Sequence, residues 1–318
     1  MGMYIAVDIG GTQLRAAIYP LDGLTPMRVE RIPTKDPSSS TLERLESLIE
    51  TLWPTDVAVS AIGVAAPGAI DPYQGVLLSV ANIQGWENLP LRQILENRFQ
   101  TPVGIGNDAN LAALGEWQYG AGQGHHHLIY LTISTGIGGG VIIDDQLLLG
   151  HRGLATELGH VVVMQDGPLC SCGKRGHLEA VASGPAIANW VEQQLSQGIP
   201  SSLPVQRHLT SRMIAKTARE GDTLAIQALA RAGNFIGQAI ANFLHIFNPT
   251  AVILGGGVIQ SGTLLMEPLR ASMEKHAMSP DYYSDLLLTT AALGDDAGLI
   301  GALALARRVE TKPTLDFA

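Results

Sequence analysis

The chain has 318 residues, 46% hydrophobic and 15% charged, which is enough for two packed domains with a cleft between them. With 20 lysines and arginines against 29 acidic residues, its net charge is −9, and the absence of a basic run argues against a nucleic-acid partner. Cys170 and Cys172 alone make no disulfide framework, the N-terminus carries no signal-peptide pattern, and no uncharged apolar run nears the ~18 residues of a membrane span, so the chain reads as cytoplasmic with no membrane partner.

In chain order, residues 4–19 read as a strand, a turn at Gly10-Gly11 and a second strand. Residues 41–53 place Leu42, Leu45, Leu48, Ile49 and Leu52 on one helical face, with Ser and Thr ahead as caps. Residues 57–64 read as a strand ending at Pro67-Gly68. A short helix over 91–99 follows Pro90, and a strand over 103–105 leads to a helix capped by Asn107-Asp108. Gly120, Gly122 and Gly124 with His125, His126 and His127 form a polar break, read as a solvated hinge. Residues 128–143 repeat the opening hairpin about 125 residues further on, which suggests a duplicated architecture. A long Ala-rich helix over 222–247, a buried strand over 251–254 and a last helix over 297–308 complete an alternating α/β pattern.

The two hairpin turns carry phosphate chemistry. In Asp8-Ile9-Gly10-Gly11-Thr12, glycines let backbone N–H groups approach a phosphate, Thr12 adds a hydroxyl, and Asp8 is placed to hold Mg²⁺ through water. Ser134-Thr135-Gly136-Ile137-Gly138-Gly139-Gly140 is the matching grip. Either alone is more often only a turn; together, with an acid and hydroxyls, they favour phosphate. No P-loop is present, and neither Gly120-x-Gly122 nor Gly255-x-Gly257 has dinucleotide-fold spacing. Asn107-Asp108 reads as an N-cap pair or as a rigidly held base. His160, Cys170, Cys172 and His177 have the donor types of a tetrahedral zinc site.

These segments, with Glu157-Leu158-Gly159-His160, the run from Cys170 to Glu179 and Leu254-Gly255-Gly256-Gly257, resemble the ROK family of sugar kinases and repressors over nearly the whole chain. The resemblance implies an actin-like ATPase (ribonuclease H-like) fold, duplicated into two domains with an interdomain cleft. Residues 1–122 with helix 296–318 would form the small sugar- and phosphate-binding domain. Residues 123–295 would form the large one, with the nucleotide site and a zinc-binding loop. It further implies ATP-dependent phosphorylation of a hexose, glucose foremost, to the 6-phosphate. Fructose, mannose, N-acetyl hexosamines and polyphosphate as donor stay open.

Asp108 would be the base, with Gly68, Asn82, Asn107, Glu157, His160 and Glu179 around the sugar. ATP would lie against Asp8, Gly10, Gly11, Thr12, Thr135, Gly136, Gly138 and Gly139, its adenine near Gly255, Gly256 and Gly257. A structural zinc would sit on His160, Cys170, Cys172 and His177, the last standing where relatives carry a third cysteine. A homodimer or tetramer is implied. Two rival readings are a sugar-responsive repressor of the same family lacking its DNA-binding region, and a non-kinase actin-like ATPase, which would lack the block from Glu157 to Glu179.

Overall fold

The computed structural model describes residues 2–80, 83–204 and 208–311. In chain order the strands and helices are β1 (Gly2–Ile9), β2 (Gln13–Pro20), β3 (Arg28–Pro33), α1 (Thr41–Leu52), β4 (Ala58–Ala66), β5 (Ala69–Asp71), β6 (Val76–Ser79), β7 (Glu87–Leu89), α2 (Leu91–Phe99), β8 (Val103–Asn107) and α3 (Asp108–Tyr119). There follow β9 (Leu128–Ile133), β10 (Ile137–Ile143), β11 (Gln146–Leu147), α4 (Leu178–Ala182), α5 (Gly184–Ser196), α6 (Ser211–Arg219), α7 (Thr223–Phe247), β12 (Ala251–Gly255), α8 (Thr263–His276), β13 (Leu287–Thr290) and α9 (Ala297–Thr311). No helix among the described residues is long and apolar enough to cross a membrane.

The duplication read from the hairpins is visible in the sheets. One has the order β3-β2-β1-β4-β8 and the other β11-β10-β9-β12-β13. In the first, β1 runs antiparallel to β2, with Tyr4 opposite Tyr19, and parallel to β4, which runs parallel to β8. In the second, β12 runs parallel to both β9 and β13. β5, β6 and β7 form a small third sheet.

The chain divides into two compact units. The first comprises Met1–Gly124, Gly140–Thr156 and Ala292–Ala318; the second, His125–Gly139 and Glu157–Ala291. The division expected from sequence differs in residues 123–124, 140–156 and 292–295, which group with the first unit.

In the first unit, alternate β1 residues face two cores, as the two-residue period of a strand requires. Ile5, Val7 and Ile9 pack with Leu45, Leu48 and Ile49 of α1 and Leu91 and Leu95 of α2. Tyr4 and Ala6 pack with Leu111 and Leu114 of α3 and with α9. The Ser/Thr cap expected ahead of α1 is present and is a full capping box: Ser40 accepts from the Glu43 N–H while Glu43 reaches back to the Ser40 N–H. α3 is buried without a break from Ala109 to Glu116, consistent with a helix enclosed on all sides rather than laid on a surface.

Candidate active site

In the first unit the functional candidates share one edge. Asp8 at the end of β1 pairs in register with Ala65 of β4, and Ala66 pairs with Asn107 at the end of β8. Asp8, Gly68, Asn107 and Asp108 therefore follow the C-terminal ends of three neighbouring parallel strands, where open α/β sheets bind ligands. Asn107 is the N-cap of α3: its Oδ1 accepts from the Ala109 and Asn110 N–H groups at 3.0 and 3.2 Å. Its amide also donates to the Gly68 carbonyl at 3.1 Å, tying two expected sugar contacts to each other. Asp108 is the first helical residue, and its Oδ1 accepts from the Ala109 N–H at 2.8 Å. Asn82 lies outside the described residues.

Asp8 has a partner that the sequence did not disclose. Arg15 of β2 donates to its Oδ2 from Nε at 3.1 Å and from NH2 at 2.5 Å, and NH2 also reaches the Asp295 carbonyl at 2.7 Å. The signal was available, since Asp8 and Arg15 are opposite each other in the hairpin register. The turn itself closes through the Gly10 N–H on Gln13 at 2.9 Å, and Gly11 and Thr12 form its exposed tip.

The second unit builds its candidates on loops. Thr135 and Gly136 follow β9, and Gly255, Gly256 and Gly257 follow the neighbouring parallel strand β12. Gly256 has φ +88° and lies so close to Ile133 that a Cβ would come within 2.3 Å of its carbonyl oxygen, so glycine is required there. Gly138 and Gly139 lie within β10.

Glu179, in the first turn of α4, links the phosphate turn to the cysteine loop. Its Oε2 accepts from the Ile137 N–H at 3.1 Å, and its Oε1 accepts from the Ser171 hydroxyl at 2.9 Å. Ser171 was not singled out by sequence, because a serine between two cysteines carries no pattern of its own. A cavity of about 490 Å³ opens beside this link, lined by Thr135, Cys170, Glu179, Ser183, Trp190 and Arg231 among others. Arg231 lies over the Trp190 and Phe235 rings, with its carbon 5.5 and 5.0 Å from their centroids.

His160, Cys170, Cys172 and His177 converge, their ligand atoms all within 4.8 Å of one another. The two His Nδ1 atoms are 3.3 Å apart, Cys170 Sγ is 3.6 Å from His160 Nδ1, and Cys172 Sγ is 3.3 Å from His177 Nδ1. Ligands on a tetrahedral zinc with ordinary Zn–N and Zn–S bonds stand about 3.3–3.8 Å apart, so the donor set fits that ion in kind, and these three separations fall within or near that range. Burial pushes the Cys170 thiol above its ordinary pKa, so a metal binding there must displace a proton. His160 turns its other nitrogen, Nε2, to within 3.9 Å of Glu157 Oε2. The ring thus joins the four-residue cluster to an expected sugar ligand.

Known proteins match this chain over nearly its whole length. The model described as ROK family matches residues 4–309. A glucokinase of Thermotoga maritima is 36% identical over 308 residues, covering 95% of this chain and 96% of its own length. The crystal structure of a ROK family glucokinase from Streptomyces griseus, in complex with glucose and AMPPNP, aligns with a TM-score of 0.81 at 33% identity, covering 96% of this chain and 100% of that one. A ROK family transcriptional regulator, a homologue of the E. coli MLC protein, aligns with a TM-score of 0.87 at 28% identity, covering 97% of this chain and 78% of that one.

Proposed function

We infer the function from one premise, that this chain belongs to the ROK family: it is an ATP-dependent hexose kinase of the glucokinase type, converting glucose and ATP to glucose 6-phosphate and ADP. The observation that carries the reading is Asp108, a carboxylate fixed at the head of a buried helix, on the same sheet edge as the Asp8 turn.

A sugar hydroxyl is a weak nucleophile. In the proposed reaction Asp108 accepts its proton while the hydroxyl oxygen attacks the terminal phosphorus of ATP and the bond to the ADP oxygen breaks. The turns at Gly10-Gly11-Thr12 and Thr135-Gly136 would hold the phosphates, and Gly255-Gly256-Gly257 would receive the adenine. Glu157, His160 and Glu179 bind sugar hydroxyls. Asp8 would hold Mg²⁺ through water, and both Arg15 contacts fall on its Oδ2. Such an ion, when bound, screens the phosphate charge. His160, Cys170, Cys172 and His177 would hold zinc. All four ligands come from the protein, so its work is to shape the loop that presents Glu157, His160 and Glu179.

The likeness to a transcriptional regulator favours one rival, the sugar-responsive repressor. Coupled ADP release, measured over glucose, fructose, mannose and N-acetyl hexosamines, decides between them. A kinase turns over ATP only with its hexose and loses that turnover in Asp108→Asn. Turnover indifferent to every sugar, or an asparagine variant as fast as wild type, refutes the assignment.

A further inference from the structure

α3 carries a second polar device, two residues beyond Asp108. Asn110 is only 3% exposed, and its Oδ1 accepts the Thr156 hydroxyl at 2.8 Å. The same hydroxyl lies 2.6 Å from the Ala155 carbonyl, so its single proton is shared between two acceptors. Thr156 has φ +68°. A β-branched side chain in the left-handed region is a true outlier, and such conformations persist only where their surroundings hold them, most often at ligand sites. Here the holder is visible: were Thr156 to relax into an extended conformation, its hydroxyl would be carried off Asn110. The next residue in the chain is Glu157.

We propose that Asn110 and Thr156 are a pair of positioning residues for hexose recognition. Their hydrogen bond fixes the residue ahead of Glu157 to the helix that begins at Asp108, so the backbone that leads into the sugar ligand is anchored at that helix. The proposal rests on the kinase reading, in which Asp108 takes the proton and Glu157 binds the sugar.

Thr156→Gly separates this role from a merely structural one, because glycine adopts positive φ without strain but has no hydroxyl. Relief of backbone strain offsets the loss of the donor to Asn110, so the Tm should move by no more than a few degrees while the KM for hexose rises and kcat/KM falls about 10- to 100-fold, the scale of a small misplacement in a site. The KM for ATP should stay within about twofold of wild type, and Thr156→Ser, which keeps the hydroxyl, should restore the hexose KM. Asn110→Ala should show the same loss, and the double variant should be no worse than either single one, as two ends of one interaction require. If Asn110→Ala does not fold, the glycine and serine variants decide alone. A Thr156→Gly enzyme with wild-type hexose KM and kcat/KM overturns the pair and leaves the kinase standing. A wild-type protein with no hexose-dependent ADP release removes the kinase reading, and the pair's role falls with it.

Discussion

The two units place their candidate functional residues by different means. In the first, Asp8, Gly68, Asn107 and Asp108 follow strand ends, and the strands are fixed between two apolar cores. In the second, Glu157, His160 and Glu179 stand around a loop that buries Leu158, Val163 and Cys170 but leaves Val162 and Leu169 exposed. His160, Cys170, Cys172 and His177 converge within that loop, and the Glu179 carboxylate accepts from the Ile137 N–H, the Cys170 thiol and the Ser171 hydroxyl. A site on regular elements inherits its geometry from the core, whereas a site on a loop needs local staples.

The comparison can be broken at its strongest point first. Asp108→Asn should lower kcat about 10²- to 10⁴-fold with a Tm lowered by no more than a few degrees, because the side chain keeps its shape but loses its ability to take a proton and its charge at the helix start. A matching fall in Tm would mean that the carboxylate serves the fold rather than the reaction. Removing the staple in the second unit comes next. Cys172→Ser, or prolonged chelation, should release one zinc per chain and raise the KM for hexose by about 10-fold or more. Elemental analysis with kinetics checks both halves. Protein that never contained zinc, or that keeps its hexose KM after losing it, would place the loop's order elsewhere.

Gly136→Ala sharpens the contrast on a smaller scale. A Cβ at Gly136 would come within 2.6 Å of Glu179 Oε2, the mobile end of a side chain, so Glu179 should move rather than the backbone. Hexose KM should rise several-fold while stability changes by less than about 1 kcal/mol, as calorimetry and kinetics together would show. Smallest of all, Ser40→Ala removes one half of the α1 capping box and should cost about 1 kcal/mol in urea unfolding, with kinetics untouched.

The same contrast explains what could be read from the sequence. Elements with a strong local signal were legible: the expected helix over 91–99 is α2 residue for residue, and that over 41–53 ends one residue earlier, at Leu52. The paired hairpins and the strand before Gly255 were likewise visible, because glycine turns and unbroken Val/Ile runs mark them. The converging His and Cys residues were legible from their donor types.

What stayed hidden depends on partners distant in sequence or on untypical residues. Ser171 matters only because Glu179 folds back onto it, and Arg15 only once the hairpin register is known. Thr156 is the wrong residue type to announce a left-handed backbone, and Asn110 gives no sign that its partner is 46 residues away. The return of residues 140–156 to the first unit is a matter of packing that no periodicity records. α8 carries Pro268 in its interior, a residue that argues against a continuous helix, and α5 and α6 likewise left no reading in the sequence.

Glu116, near the end of α3, is fully buried, and its carboxylate accepts from three backbone N–H groups: Ala121 at 2.8 Å, Ala292 at 3.1 Å and Leu293 at 2.8 Å. These residues adjoin two of the points where the chain passes from one unit to the other, after Gly124 and after Ala291. Three amide protons from two distant stretches of chain thus depend on one acceptor group. In deuterated water they should exchange as a single cooperative set, at a common rate set by the opening of α3, and Glu116→Gln should speed all three at once.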